Sequence, residues 1–103
     1  RVEGEAALSV YRARLVDGSL STGERSFCRH CGSALWLWDP TWPELVHPHA
    51  SAIDTPLPVP PQRVHIMLGS KANWVEPELR PGDERFDAYP DESLAQWHAR
   101  HRL

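Results

Sequence analysis

The chain has 103 residues, 41% of them hydrophobic, with 11 basic against 14 acidic side chains and a formal net charge of −3. That length bounds it to one domain with a modest core, and its apolar fraction with five tryptophans marks a folded chain rather than a disordered one. The acidic balance and the lack of a lysine-rich run argue against a binder of nucleic acid or acidic membrane, and no apolar stretch has transmembrane length.

In chain order the sequence reads as short strands split by turns, the rhythm of a mainly β domain. From Val2 it reads like the middle of a sheet domain, so upstream sequence is expected, and residues 1–103 are expected to form a single domain that lacks its amino-terminal segment. Ala7 to Ala13 alternates as a strand, and Asp17-Gly18-Ser19 makes a turn. Glu24 to Phe27 and Ala34 to Trp38 are strands on either side of a cysteine pair. Asp39-Pro40 and Trp42-Pro43 force a turn, because each proline locks its own φ and removes a donor. Leu45 to His47 and Ala50 to Ile53 read as one strand broken at Pro48. The run Pro56 to Pro61 holds four prolines in six residues; it is either a rigid surface connection or a polyproline ligand for a partner. Val64 to Leu68 is a further strand. One short helix is expected at the carboxy end, capped by Asp91 after Pro90, with Leu94 and Trp97 on one face. Arg100, His101 and Arg102 suit the negative end of its dipole.

The residues richest in chemistry are Phe27-Cys28-Arg29-His30-Cys31-Gly32-Ser33, which hold the only two cysteines of the chain. Two thiolates three positions apart can take one side of a tetrahedral zinc ion, and a glycine after the second lets the backbone turn tightly. Tetrahedral closure needs four ligands, so Cys28 and Cys31 supply half of a metal site. A redox dithiol is the second reading, opposed by the chain returning to a strand rather than entering a helix. Two thiols without a role are the third. A reducing, cytoplasmic setting is expected, since close cysteines there hold metal more often than a structural disulfide.

The remaining candidates divide between ligand and ordinary roles. His47 and His49 fall on one face of an extended strand, yet Pro48 separates them, and surface histidines are the plainer account. His30 points away from the metal, and His65 is a strand residue with a satisfied hydrogen bond. Trp36 and Trp38 share one face of their strand, as core or as the wall of an aromatic pocket, and Trp74 and Trp97 read as core or cover. Asp54 starts a turn before Thr55-Pro56. No Ser/His/Asp constellation, phosphate-cradling glycine loop or carboxylate pair is defensible, so the catalytic residues are unassigned.

The block from Phe27 to Trp36, then Ala50-Ser51-Ala52-Ile53-Asp54, then Val64-His65-Ile66 with Ser70-Lys71-Ala72-Asn73-Trp74, and last Phe86-Asp87-Ala88-Tyr89-Pro90, resembles the glutathione-dependent formaldehyde-activating enzyme family in that order. The resemblance implies a β-tent, in which small antiparallel sheets are pinned by zinc. It implies a zinc-dependent carbon–sulfur lyase that joins or releases a one-carbon aldehyde at the thiol of glutathione, with S-hydroxymethylglutathione as the adduct. In that family a structural zinc is held by a knuckle pair matching Cys28 and Cys31 and by two cysteines of an earlier segment, and a catalytic zinc by an earlier cysteine cluster. Trp36, Trp38 and Asp54 would border the pocket.

Two function classes follow: such a lyase, or a noncatalytic zinc-stapled binding or scaffold module. An upstream cysteine cluster discriminates them. A homodimer is compatible with either, because two copies of the Cys28/Cys31 pair bring four sulfurs to a two-fold axis.

Overall fold

A computed structural model describes residues 1–102 of the chain. It is mainly β and divides into two compact units, Arg1–Leu57 and Pro58–Leu103, the division falling inside the proline run.

The first unit is an antiparallel sheet in the order β1 (Leu8–Tyr11), β2 (Glu24–Cys28), β3 (Ala34–Trp38), β4 (Val46–Pro48). Each strand pairs with its neighbour in sequence, Leu8 opposite Cys28 and Glu24 opposite Trp38. A bulge between Ser26 and Phe27 shifts the β2–β3 register just before the cysteine pair, a device that bends a strand and raises its twist. The β1–β2 connection turns at Gly18, in the left-handed region at φ 87°, while the Asp17 carboxylate accepts from the amide and hydroxyl of Ser19.

The broken strand expected around Pro48 is instead a strand that contains Pro48, followed by a 3-10 turn at Ala50–Ala52. Strand β4 pairs only with β3, and a proline with no amide to donate is tolerated on an edge. Among the described residues no hydrophobic side chain is fully buried, and Ser26 on the central β2 is 8% exposed. Leu35, Trp36, Leu37 and Trp38 are all half-buried, so β3 with the central β2 is the best-covered part of the sheet. Trp74, expected as core or cover, is 80% exposed.

In the second unit the strand expected over Val64 to Leu68 shortens to β5 (Val64–His65), paired in parallel with β6 (Glu84–Arg85). This small sheet is thus parallel where antiparallel pairing is implied by the family resemblance. The strand ends because Met67 takes a left-handed φ of 59° and the chain enters a 3-10 turn at Leu68–Ser70. There the amides of Met67, Leu68 and Gly69 donate to the carbonyls of Ala88, Phe86 and Asp87. A Cβ on Gly69 would sit 3.0 Å from the Asp87 carbonyl oxygen, so glycine permits this approach. Arg80-Pro81-Gly82-Asp83 closes a turn with Gly82 at φ 87° and the Asp83 amide donating to the Arg80 carbonyl.

Helix α1 (Leu94–Arg100) is capped by Ser93, not by Asp91. The Ser93 hydroxyl accepts from the Gln96 amide at 3.1 Å, and the Gln96 side chain accepts from the Ser93 amide at 2.7 Å. This reciprocal capping box satisfies two orphan donors, which a serine three residues before a glutamine can do and Asp91 cannot. Arg100 pairs with Glu84 at 2.7 Å and with Glu92, so its pKa is held above the ordinary value, by Glu92 first and then Glu84.

Candidate functional site

Strand β2 ends on Cys28, and Cys31 lies in the tight turn that leads into β3. Cys28 closes β2, its amide donating to the Ser33 carbonyl at 2.9 Å, while the Gly32 amide returns to the Cys28 carbonyl at 2.7 Å. Gly32 sits at φ 79°, the left-handed conformation that a knuckle glycine supplies without the steric cost of a Cβ. The turn is tied to the chain ahead of β1 by Arg29, whose amide donates to the Ala7 carbonyl and whose guanidinium donates to Ala6, both at 2.8 Å.

Both cysteines are free thiols, Cys28 half-buried and Cys31 exposed. The Cys31 sulfur lies 3.1 Å from the Ser33 hydroxyl. Hydrogen bonds from that hydroxyl, then from the Ser33 amide, then from the Cys28 thiol hold the Cys31 pKa below the ordinary thiol value. A lowered pKa favours the thiolate, which is the form that ligates a metal.

The donor chemistry of this pair fits two of the four positions around a tetrahedral zinc. Among the described residues no group of three or more His, Cys, Asp or Glu side chains is placed to hold a metal ion. His30 is exposed beside the knuckle and His47 is exposed on β4. His49 is half-buried, and its amide donates to the Leu35 carbonyl. None of the three joins the two sulfurs in such a group. His65 is in a strand, but its Nε2 is buried without a hydrogen-bond partner, 3.7 Å from a carboxylate oxygen of Asp83.

Next to the knuckle, between the start of β3 and the 3-10 turn at Ala50–Ala52, lies a cleft of about 520 Å³. Ser33, Ala34, Leu35, Ser51, Ala52 and Asp54 line it. Asp54 thus borders a pocket, whereas Trp36 and Trp38 do not line this one. The Trp38 indole instead donates to the Pro43 carbonyl at 3.0 Å, bracing the β3–β4 turn. Ser33 and Ser51 were not singled out by sequence; the signal for Ser33 is its position two residues past the second cysteine, where its hydroxyl reaches back to sulfur.

A protein of Halomonas elongata named "Putative glutathione-dependent formaldehyde-activating enzyme" is 60% identical to this chain over 99 residues, which is 96% of the chain. The chain is related to that family. The 99 matched residues are more than either compact unit holds, so the similarity extends into both. The chain spans 62% of that relative's length, less than two thirds of it. No family model matches the chain, and no solved structure matches it. Among the described residues no helix is long and apolar enough to cross a membrane.

Proposed function

We propose that the protein is a zinc-binding carbon–sulfur lyase acting on a glutathione–aldehyde adduct, with Cys28 and Cys31 as two thiolate ligands of a structural zinc ion. The observation that supports this reading most is the 60% identity over 96% of the chain to a relative named for glutathione-dependent formaldehyde activation. The knuckle supports its metal half, since the two free thiols end one glycine turn and Cys31 is biased toward the thiolate. Zinc bound there would close the β2–β3 hairpin and contribute folding free energy directly.

In the release direction the carbon–sulfur bond of the hemithioacetal breaks. The sulfur keeps that electron pair as a thiolate, the hydroxyl oxygen forms the carbonyl, and its proton is lost. Addition of thiolate to aldehyde is the reverse. Two free thiols suit a reducing compartment such as the cytoplasm.

The test follows the exchange between formaldehyde, glutathione and their adduct by NMR, with and without the intact protein. The expected result is exchange at least about tenfold above the uncatalysed rate, a barrier lowered by ~1.4 kcal/mol. Exchange at the background rate with zinc-loaded protein rejects the lyase reading.

A further inference from the structure

We propose that the outer edge of β1 pairs with the same edge of a second copy of this chain, Val10 against Val10 about a two-fold axis, joining two four-stranded sheets into one.

The two edges of the sheet are finished differently. Strand β4 carries Pro48, which lacks the amide that a further strand would need. Strand β1 has neither proline nor lysine, and the bulge of the sheet lies between β2 and β3. The peptide groups turned toward β2 are those of odd-numbered residues. Ala7 accepts from the Arg29 amide, and past the strand Ala13 accepts from the Ser21 amide. Sides alternate along an antiparallel strand, so Leu8, Val10 and Arg12 turn theirs to the free edge. The Leu8 amide is already donated to the Glu5 carbonyl. That leaves the Leu8 carbonyl, both groups of Val10 and the Arg12 amide without a backbone partner among the described residues.

This set is self-complementary. With Val10 on the axis, the two Val10 residues exchange both of their bonds, and each Arg12 amide donates to the Leu8 carbonyl of the other copy. The ladder stops at Leu8, whose amide is spent and before which the chain is a 3-10 turn. Val10 and Tyr11 are 52% and 57% exposed, and pairing sets Val10 against its own copy as a β-branched cross-strand pair. Charge favours the same arrangement. The chain is acidic before β1, at Glu3 and Glu5, and basic after it, at Arg12 and Arg14. Antiparallel pairing brings Arg14 of one copy to the turn that holds Glu5 of the other. Glu5 belongs to none of the ion pairs among the described residues. Arg12 and Arg14 each place one donor on a carbonyl, of Ser21 and of Gly18, and keep the rest of the guanidinium free for a carboxylate. In the joined sheet the two Cys28 residues stand on strands about 14 Å apart, three strand spacings, too far to share one metal ion.

The experiment measures the mass of the intact protein by sedimentation over rising concentration, at low and high salt. The expected result is a reversible dimer that salt weakens, because its charge pairs are exposed. Val10→Pro is expected to give a monomer with the wild-type circular dichroism spectrum, since the lost amide faces away from β2. Arg14→Glu and Glu5→Arg are each expected to weaken the dimer at least about threefold, and the two together to restore it. The charge reversals touch no backbone bond, so they decide the matter alone if Val10→Pro loses its spectrum. A wild type that stays monomeric to roughly millimolar concentration, a dimer that a folded Val10→Pro variant leaves intact, or charge reversals that fail to compensate would each overturn the assignment. One zinc ion shared between two copies would overturn it as well.

Discussion

Asp83 shows how a single carboxylate organises the second unit. Its side chain is 2% exposed, and its oxygens accept from the amides of Arg63 and Arg80, both at 2.9 Å, with the Arg63 guanidinium 3.5 Å away. The Arg80 amide first, then the Arg63 amide, and more weakly the two guanidinium charges hold its pKa below the ordinary carboxylate value. A carboxylate whose folded pKa is depressed stabilises fully above its unfolded value, near 4, and that stabilisation is lost as pH falls through the lower folded value. Asp83→Asn is therefore expected to melt several degrees below the wild type at neutral pH, because an amide nitrogen would face backbone donors. The gap should narrow as pH falls below the ordinary carboxylate value and the wild-type carboxylate protonates. Thermal melts across pH check this, and a gap independent of pH would refute it. Asp83 was not singled out by sequence: the Pro81-Gly82 pair announces the turn that brings the Arg80 amide, but its second partner, Arg63, lies just ahead of β5 and 20 residues away, where only the fold supplies it.

At the scale of elements, α1 is the clearest case of local chemistry setting a boundary. Seven residues make an isolated helix marginal, so the capping box matters more than in a long one. Ser93→Ala is expected to cost ~1 kcal/mol of helix stability. Amide exchange across Gln96 to Arg100 should then quicken about fivefold, the factor for that energy at room temperature. Unchanged exchange would mean that the ion pairs of Arg100 with Glu84 and Glu92 hold the helix without its cap. The S-x-x-Q signature was legible in the sequence, though Asp91 has an equally good capping chemistry and lies only two residues away. The β2–β3 hairpin was legible too, because its cysteines and glycine punctuate two apolar runs. By contrast, the strand from Val64 to Leu68 failed at Met67, where the bonds to residues 86–88 outweigh a local β preference.

At the scale of the whole molecule, a chain without a fully buried hydrophobic residue among its described residues has little core with which to hold a sheet. Metal crosslinking is the compensation expected of such a protein. Cys28→Ser and Cys31→Ser are each expected to abolish zinc binding and to lower the melting temperature sharply, and chelation of the wild type should do the same. Native mass spectrometry paired with thermal melts reads both, and also counts zinc per chain, so that one ion shared by two copies would reveal a two-fold site. A serine variant with normal zinc and normal melting would remove the knuckle from the metal reading.

The sequence by itself determined the mainly β class, the hairpin around Cys28 and Cys31, the existence of a short carboxy-terminal helix and the relationship borne by ordered blocks of residues. Those features are local: each follows from side chains within a few positions of one another, where periodicity, turn chemistry and thiol spacing act. Tertiary structure alone decided that Asp54 and Ser51 line a cleft with Ser33, that β5 and β6 run parallel, and that Asp83 reaches the Arg63 amide 20 residues away. In those cases the partners are far apart in sequence, and no local preference encodes which polar group will meet another.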